Sequence, residues 1–191
     1  MGEKPKPALV ATDRGTATYE DKYEFKAPME WKLLRNLAEG EGDFEFGFIK
    51  FEYRNGAYPS QSTFIYDDEP FGSRRDLNTR AKQYFTRFLW LSGIFPEVKK
   101  QDEVQLWGQP AIATHLEGEN PNRGEKVKSL VYLVKKGSRI ISFVCTQWRP
   151  MNGTFDSGPF EQFETFVQSF KFLKPTFYEE MDEKIKKLKS D

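Results

Sequence analysis

Apolar positions crowd together along RIISFVCTQWRP, residues 139–150, a run rich in β-branched and aromatic residues. Ile141, Phe143 and Cys145 fall on one side of that run, and Ile140, Ser142, Val144, Thr146 and Trp148 on the other. That enrichment predicts a strand, and apolar groups on both sides predict one with a covered layer on each face. VKSLVYLVKK stands just before it, so Lys135-Lys136-Gly137-Ser138 is expected to turn a β-hairpin over residues 127–148. Further upstream, DEVQLWGQPAIATHLEGE (102–119) predicts two short strands interrupted at Gly108-Gln109-Pro110, with NPNRGEK (120–126) as a loop. FEFGFIKFEY (44–53) alternates, but its apolar register shifts after Gly47, which predicts a bulge there or a strand covered on both faces. RNGAYPSQ then reads as a loop and STFIYDDEPF (62–71) as a strand. TATYEDKYEFKAPMEW (16–31) is extended and broken by Pro28, EGEGD (39–43) is a turn, and residues 1–16 form a polar lead in which Pro5 and Pro7 oppose regular structure.

Three stretches carry the helical period instead. Ser73-Arg-Arg-Asp76 has the form of a capping box with Asp in the Glu/Gln position. Leu77, Ala81, Tyr84, Phe85, Phe88 and Leu91 follow it as one apolar stripe, ended by Pro96. Phe160, Phe163, Phe166, Val167 and Phe170 share one face of FEQFETFVQSF (160–170), after the loop MNGTFDSGP. Beyond Pro175, Phe177, Met181, Ile185 and Leu188 keep helical spacing. Glu180/Lys184, Asp182/Lys186 and Glu183/Lys187 are acid-before-base pairs at i,i+4, as on an exposed helix. Hairpin-joined strands, one long central helix and another after the last strand predict an α+β fold, an antiparallel sheet flanked by helices as an α/β/α sandwich. Residues 1–15 are then a flexible lead, 16–174 a single domain, and 175–191 an amphipathic helical tail.

Composition sharpens this. The chain has 191 residues, which suits one domain, and its 18 Phe, 8 Tyr and 4 Trp offset a lean 38% hydrophobic content. The 29 basic and 29 acidic residues cancel, without the basic excess of a nucleic-acid binder. One cysteine allows no internal disulfide, so stability must come from packing. No run of 18 apolar residues predicts a transmembrane segment, and MGEKPKPALVATDRG has no apolar signal region. Lys-, Pro- and Thr-rich starts of this kind also follow removed export signals, so the expectation leans to an exported or periplasmic protein.

The order of these elements resembles the Mog/PsbP-like superfamily, which includes PsbP-type extrinsic proteins and bacterial exported relatives. YEFKAPMEW looks like that family's strand-Pro-x-x-Trp opening, and WGQPAIATHLEGE, after a central amphipathic helix, like its Gly-x-Pro-Ala strand. VYLVKKGSRIISFVCTQW is similar to its main hairpin, and FEQFETFVQSFKFL to its closing helix with a Ser-Phe ending. The resemblance spans roughly residues 16–174, rests on order rather than on any single motif, and implies an adaptor or envelope protein more often than an enzyme.

Candidate chemistry is sparse. Cys145 lies among apolar neighbours, and a nucleophile needs a base nearby and a partly exposed, electropositive setting, so a buried packing role is expected. His115, the only histidine, shares a strand face with Ala111, Ala113 and Glu117. His115 and Glu117 point toward one spot, but zinc needs three or four ligands, so no metal is expected. Asp67-Asp68-Glu69 lacks the spacing of a calcium loop and reads as solvated, as does EGEGD. No phosphate-binding Gly-rich loop and no GxSxG elbow occur, so no cofactor and no catalytic residue is expected. The expected function is noncatalytic binding or assembly in the bacterial cell envelope, with a protein partner. The alternatives are a small-ligand carrier or enzyme with a cavity between sheet and helix, and a cytosolic adaptor of a small GTPase.

Overall fold

The computed structural model describes residues 10–11, 17–19, 23–26, 32–34, 49–55, 58–67, 77–78, 93–136, 139–175 and 177–190. Six strands precede the middle of the chain: β1 (Val10–Ala11), β2 (Ala17–Tyr19), β3 (Tyr23–Phe25), β4 (Lys32–Leu34), β5 (Ile49–Asn55) and β6 (Tyr58–Asp67). Four long ones follow: β7 (Glu97–Leu106), β8 (Gln109–Asn120), β9 (Glu125–Lys136) and β10 (Arg139–Pro150). Helix α1 (Gly158–Ser169), the two-residue β11 (Lys171–Phe172) and helix α2 (Phe177–Ser190) close the chain.

Seven of these strands form one sheet in the order β4-β5-β6-β10-β9-β8-β7, and β1-β2-β3-β11 form a second, smaller one. Every pairing described is antiparallel. The fold is therefore α+β, and β10, which is RIISFVCTQWRP, is the middle strand of the large sheet. The hairpin across residues 137–138 runs in unbroken register from Arg139↔Lys136 to Pro150↔Glu125, longer at both ends than the sequence predicts.

The strand alternation of β10 sorts the core into two layers. On one face Leu130, Tyr132, Ile141, Phe143 and Cys145 pack with Phe163, Phe166, Val167 and Phe170 around α1, and with Phe25 from the small sheet. Each such Phe, fully removed from water, contributes roughly 1.5–3 kcal/mol. On the other face Ile112, Leu116, Val131, Leu133 and Val144 pack with Ile94, Leu77, Ile140 and Trp148. That second face also carries Thr114, Ser129, Ser142 and Thr146, all buried. Ser129 and Thr146 satisfy each other at 2.9 Å.

Several elements differ from the sequence reading. β7 and β8 are long strands, and the turn between them is Trp107-Gly108, with Gln109 and Pro110 already in the ladder. A two-residue hairpin turn of this hand needs positive φ at both positions. Gly108 adopts φ 72° freely, whereas Trp107 is held at φ 53°. Its indole Nε1 donates to Val167 O at 3.0 Å, a last-turn carbonyl of α1 that also accepts from Phe170 N, and its ring packs edge-on against Phe143 and Phe172. Tertiary contact thus offsets the local strain. β8 runs to Asn120 and β9 starts at Glu125, leaving only residues 121–124 to turn. β5 and β6 take in all but residues 56–57 of the loop expected at RNGAYPSQ, and their register shifts between Tyr53 and Arg54; Gly47, where a bulge was expected, lies outside the described residues. Val10–Ala11 form a strand inside the stretch read as a polar lead.

Gly118 is fixed by close approach: a Cβ there would stand 2.5 Å from Ile94 Cγ2, where residues 94–96 cross β8. Leu77 and Asn78 are helical, while the capping box at Ser73–Asp76, positions 81–91 of that expected helix, EGEGD and residues 44–48 lie outside the described residues.

Candidate functional site

Cys145 sits on β10 opposite Leu130, fully buried in the layer beneath α1. His115 is opposite Leu130 from the other side, so a whole strand separates thiol and imidazole. Nothing in that arrangement activates the sulfur.

His115 lies instead in a half-buried polar cluster at the β7 side of the same face. Its register partner is Lys100, and Lys128, Asp102 and Glu164 surround it from β9, β7 and α1. Burial, then the Lys100 ammonium, hold the imidazole below its ordinary pKa of 6.5. The neighbouring charges are already matched. Lys128 Nζ is 3.2 Å from Glu117 Oε1, and Lys100 Nζ is 2.7 Å from Asp102 Oδ2. Tyr132 Oη donates to Glu164 Oε1 at 3.2 Å, and burial raises its phenol well above the usual range. Glu117 thus faces a lysine, and among the described residues no three of His, Cys, Asp and Glu gather as metal ligands. Asp67 ends β6, while Asp68 and Glu69 lie outside the described residues.

A depressed His pKa has a sign. The unfolded chain takes up this proton more readily than the folded one, so the contribution is present above pH 6.5 and is lost as pH falls below it. His115→Gln is expected to flatten the fall in stability between about pH 7 and pH 5, measured by urea unfolding. An unchanged slope would show that His115 titrates as in the open chain.

A second polar cluster, which sequence reasoning missed, ties β10 to the loop before α1. Gln147 is fully buried. Its Nε2 donates to Asp156 O at 2.6 Å, and its Oε1 accepts from Asp156 N at 3.1 Å and from Arg149 Nη2 at 3.0 Å. Arg149 also donates to Thr154 O, Trp148 O and Asp156 Oδ2. The signal was present, since Gln147 and Arg149 continue the face of Cys145 where apolar residues were due. This network is internally satisfied, and it positions α1 rather than a ligand.

Where Leu77 and Asn78 meet the edge of the large sheet, a groove of about 530 Å³ is lined by Glu103, Gln105, Pro110 and Ile112. Some of its polar groups bond each other: Gln101 Nε2 donates to Asn78 Oδ1 at 2.9 Å and Asn78 Nδ2 to Glu103 Oε1 at 3.4 Å, while Gln101 Oε1 is buried without a partner among the described residues. Asn78, Glu103, Gln105 and Pro110 are all exposed, which makes the groove shallow.

Among the described residues, α2 carries three exposed large apolar side chains, and Phe95 and Val98 are exposed apart from it. Met181, Ile185 and Leu188 are 40%, 37% and 79% exposed. Glu179 explains why. Its carboxylate meets Lys136 Nζ at 2.5 Å, and that lysine also lies 4.5 Å over the Phe172 ring. Glu179 is about 160° round the helix from Met181, so the polar side of α2 is turned to the sheet and the stripe outward. Leu173, just before the helix, is also exposed.

Two solved structures share this architecture over most of the chain. The Ran-binding protein Mog1p of Saccharomyces cerevisiae is 14% identical, with a TM-score of 0.57, covering 88% of this chain and 96% of its own. The cyanobacterial PsbP, CyanoP, from Synechocystis is 13% identical, with a TM-score of 0.52, covering 90% of this chain and 96% of its own. At such identity the likeness establishes the Mog1/PsbP fold and nothing further. No protein-family model and no curated protein sequence matches the chain.

Proposed function

We propose that this chain is a noncatalytic binding or assembly protein of the bacterial cell envelope, meeting a protein partner through the outward stripe of α2. The observation that carries this reading is the inverted helix: a charged amphipathic segment bonded to the body by Glu179 while Met181, Ile185 and Leu188 face solvent. Exposed apolar groups gathered on one face mark interaction surfaces. The chemistry-bearing side chains support it too, because Cys145 is core and the charges round His115 neutralise one another. Mog1p binds Ran, so the fold can carry protein recognition in at least that protein. The envelope assignment rests on the resemblance of the element order to a superfamily that includes bacterial exported proteins, and fractionation that recovers the chain in the cytosol would overturn it. Among the described residues no helix is long and apolar enough to cross a membrane.

A photo-crosslinking residue placed at Leu188 tests the surface in intact cells, with Glu183 on the opposite side of α2 as control. The expected result is a discrete protein adduct at position 188 and none at 183. Equal labelling at both, or at neither, contradicts the proposal.

A further inference from the structure

Resting on that binding surface, we infer that the occupant of the α2 stripe is the α2 of a second copy of this chain, packed antiparallel. Charge is divided along the helix. Glu179, Glu180, Asp182 and Glu183 fill its first half, and Lys184, Lys186, Lys187 and Lys189 its second. A parallel pair would set acid against acid and base against base. An antiparallel pair sets each acidic half against a basic half and opposes the two helix dipoles. The apolar residues obey the same symmetry. With a two-fold axis beside Ile185, Met181 of one copy meets Leu188 of the other, and Ile185 meets its own equivalent. Such self-complementarity is what an isologous interface requires. Glu180 and Lys187 flank the stripe on the same side, so each faces the other across the pair.

A helix of 14 residues is about 21 Å long, and two of them bury less than the ~1,200 Å² of a stable interface. The dimer therefore forms at high local concentration and parts on dilution.

Sedimentation equilibrium of the full chain tests this. The weight-average mass is expected to rise from 22.3 kDa toward twice that value as concentration increases from about 10 μM to about 1 mM. Glu180→Lys and Lys187→Glu, each at an exposed position, should each hold the chain monomeric at concentrations where the parent is dimeric. Mixing the two variants should restore a dimer, because each like-charge contact becomes an opposite-charge one. Ile185→Cys should oxidise to a disulfide-linked dimer, and Glu183→Cys should not; Cys145 is buried and does not compete. A parent that stays at 22.3 kDa, or a dimer indifferent to both charge variants, overturns the inference. So does pelleting of a monomeric chain with phosphatidylcholine–phosphatidylglycerol vesicles, which would make the stripe a lipid surface. A Leu188 adduct with a different protein, alongside a monomeric parent, defeats self-pairing and leaves the binding reading intact. Absence of any adduct defeats the binding reading itself.

Discussion

Replacing Phe143 by Ala is expected to cost about 3–5 kcal/mol, a large part of the roughly 5–15 kcal/mol that holds an ordinary domain folded. Phe143 is fully buried on the middle strand of the large sheet. Its ring packs edge-on against Phe170 at 5.2 Å, Trp107 at 5.5 Å and Phe166 at 6.3 Å. The loss therefore combines transfer free energy with a cavity that three other rings cannot close without leaving their rotamers. One of those rings belongs to Trp107, whose positive φ is held partly by this contact. Urea unfolding should show a lower midpoint at unchanged slope, and Phe143→Leu should recover more than half of the loss. A change under about 1 kcal/mol for the alanine variant would mean that the sheet and α1 do not pack together at this ring.

The second large effect is expected at Gln147. Gln147→Leu keeps the approximate volume but removes the partner of Asp156 N, of Asp156 O and of one Arg149 Nη2–H bond. An orphaned buried group costs about 1–3 kcal/mol; Arg149 is only 8% exposed whereas the two Asp156 bonds are part-buried, so the sum is expected at the low end, about 3–4 kcal/mol. Asp156→Ala should cost less, because that carboxylate side chain is 57% exposed and Arg149 keeps its bonds to Thr154 O, Trp148 O and Gln147 Oε1. Hydrogen exchange should show faster opening of residues 151–160 in Gln147→Leu, since this network anchors the loop that leads into α1. A variant as stable as the parent would show that water replaces the amide at no cost.

Much of this was legible in the chain because period-two and period-3.6 patterns report burial directly. The opposite faces of β10, the buried position of Cys145 and the Phe face of α1 all follow from spacing alone. The Trp107-Gly108 turn did not, because turn signals are read from Gly, Asn, Asp and Pro. Here a tryptophan takes positive φ through a bond to Val167, sixty residues away. The small sheet was legible only as an extended stretch at 16–31, and its pairing was missed for a related reason: its strands are two or three residues long, too short to carry a period. The polar anchor at Gln147 and Arg149 was visible only as two hydrophilic residues at strand positions, and Asp156 joins them through a loop no pattern predicts. For α2 the spacing gave the stripe, whereas its direction depends on Lys136 of β9 holding Glu179.

The central claim is that α2 presents its apolar face outward. Amide hydrogen exchange on the dilute monomer tests it most directly. The account predicts strongly protected amides in β8, β9 and β10, near the global unfolding limit, and rapidly exchanging amides along residues 181–190, which slow as the protein is concentrated. Protection of α2 equal to that of β10 in the dilute monomer would mean that the chain covers the stripe with its own body, and would contradict it.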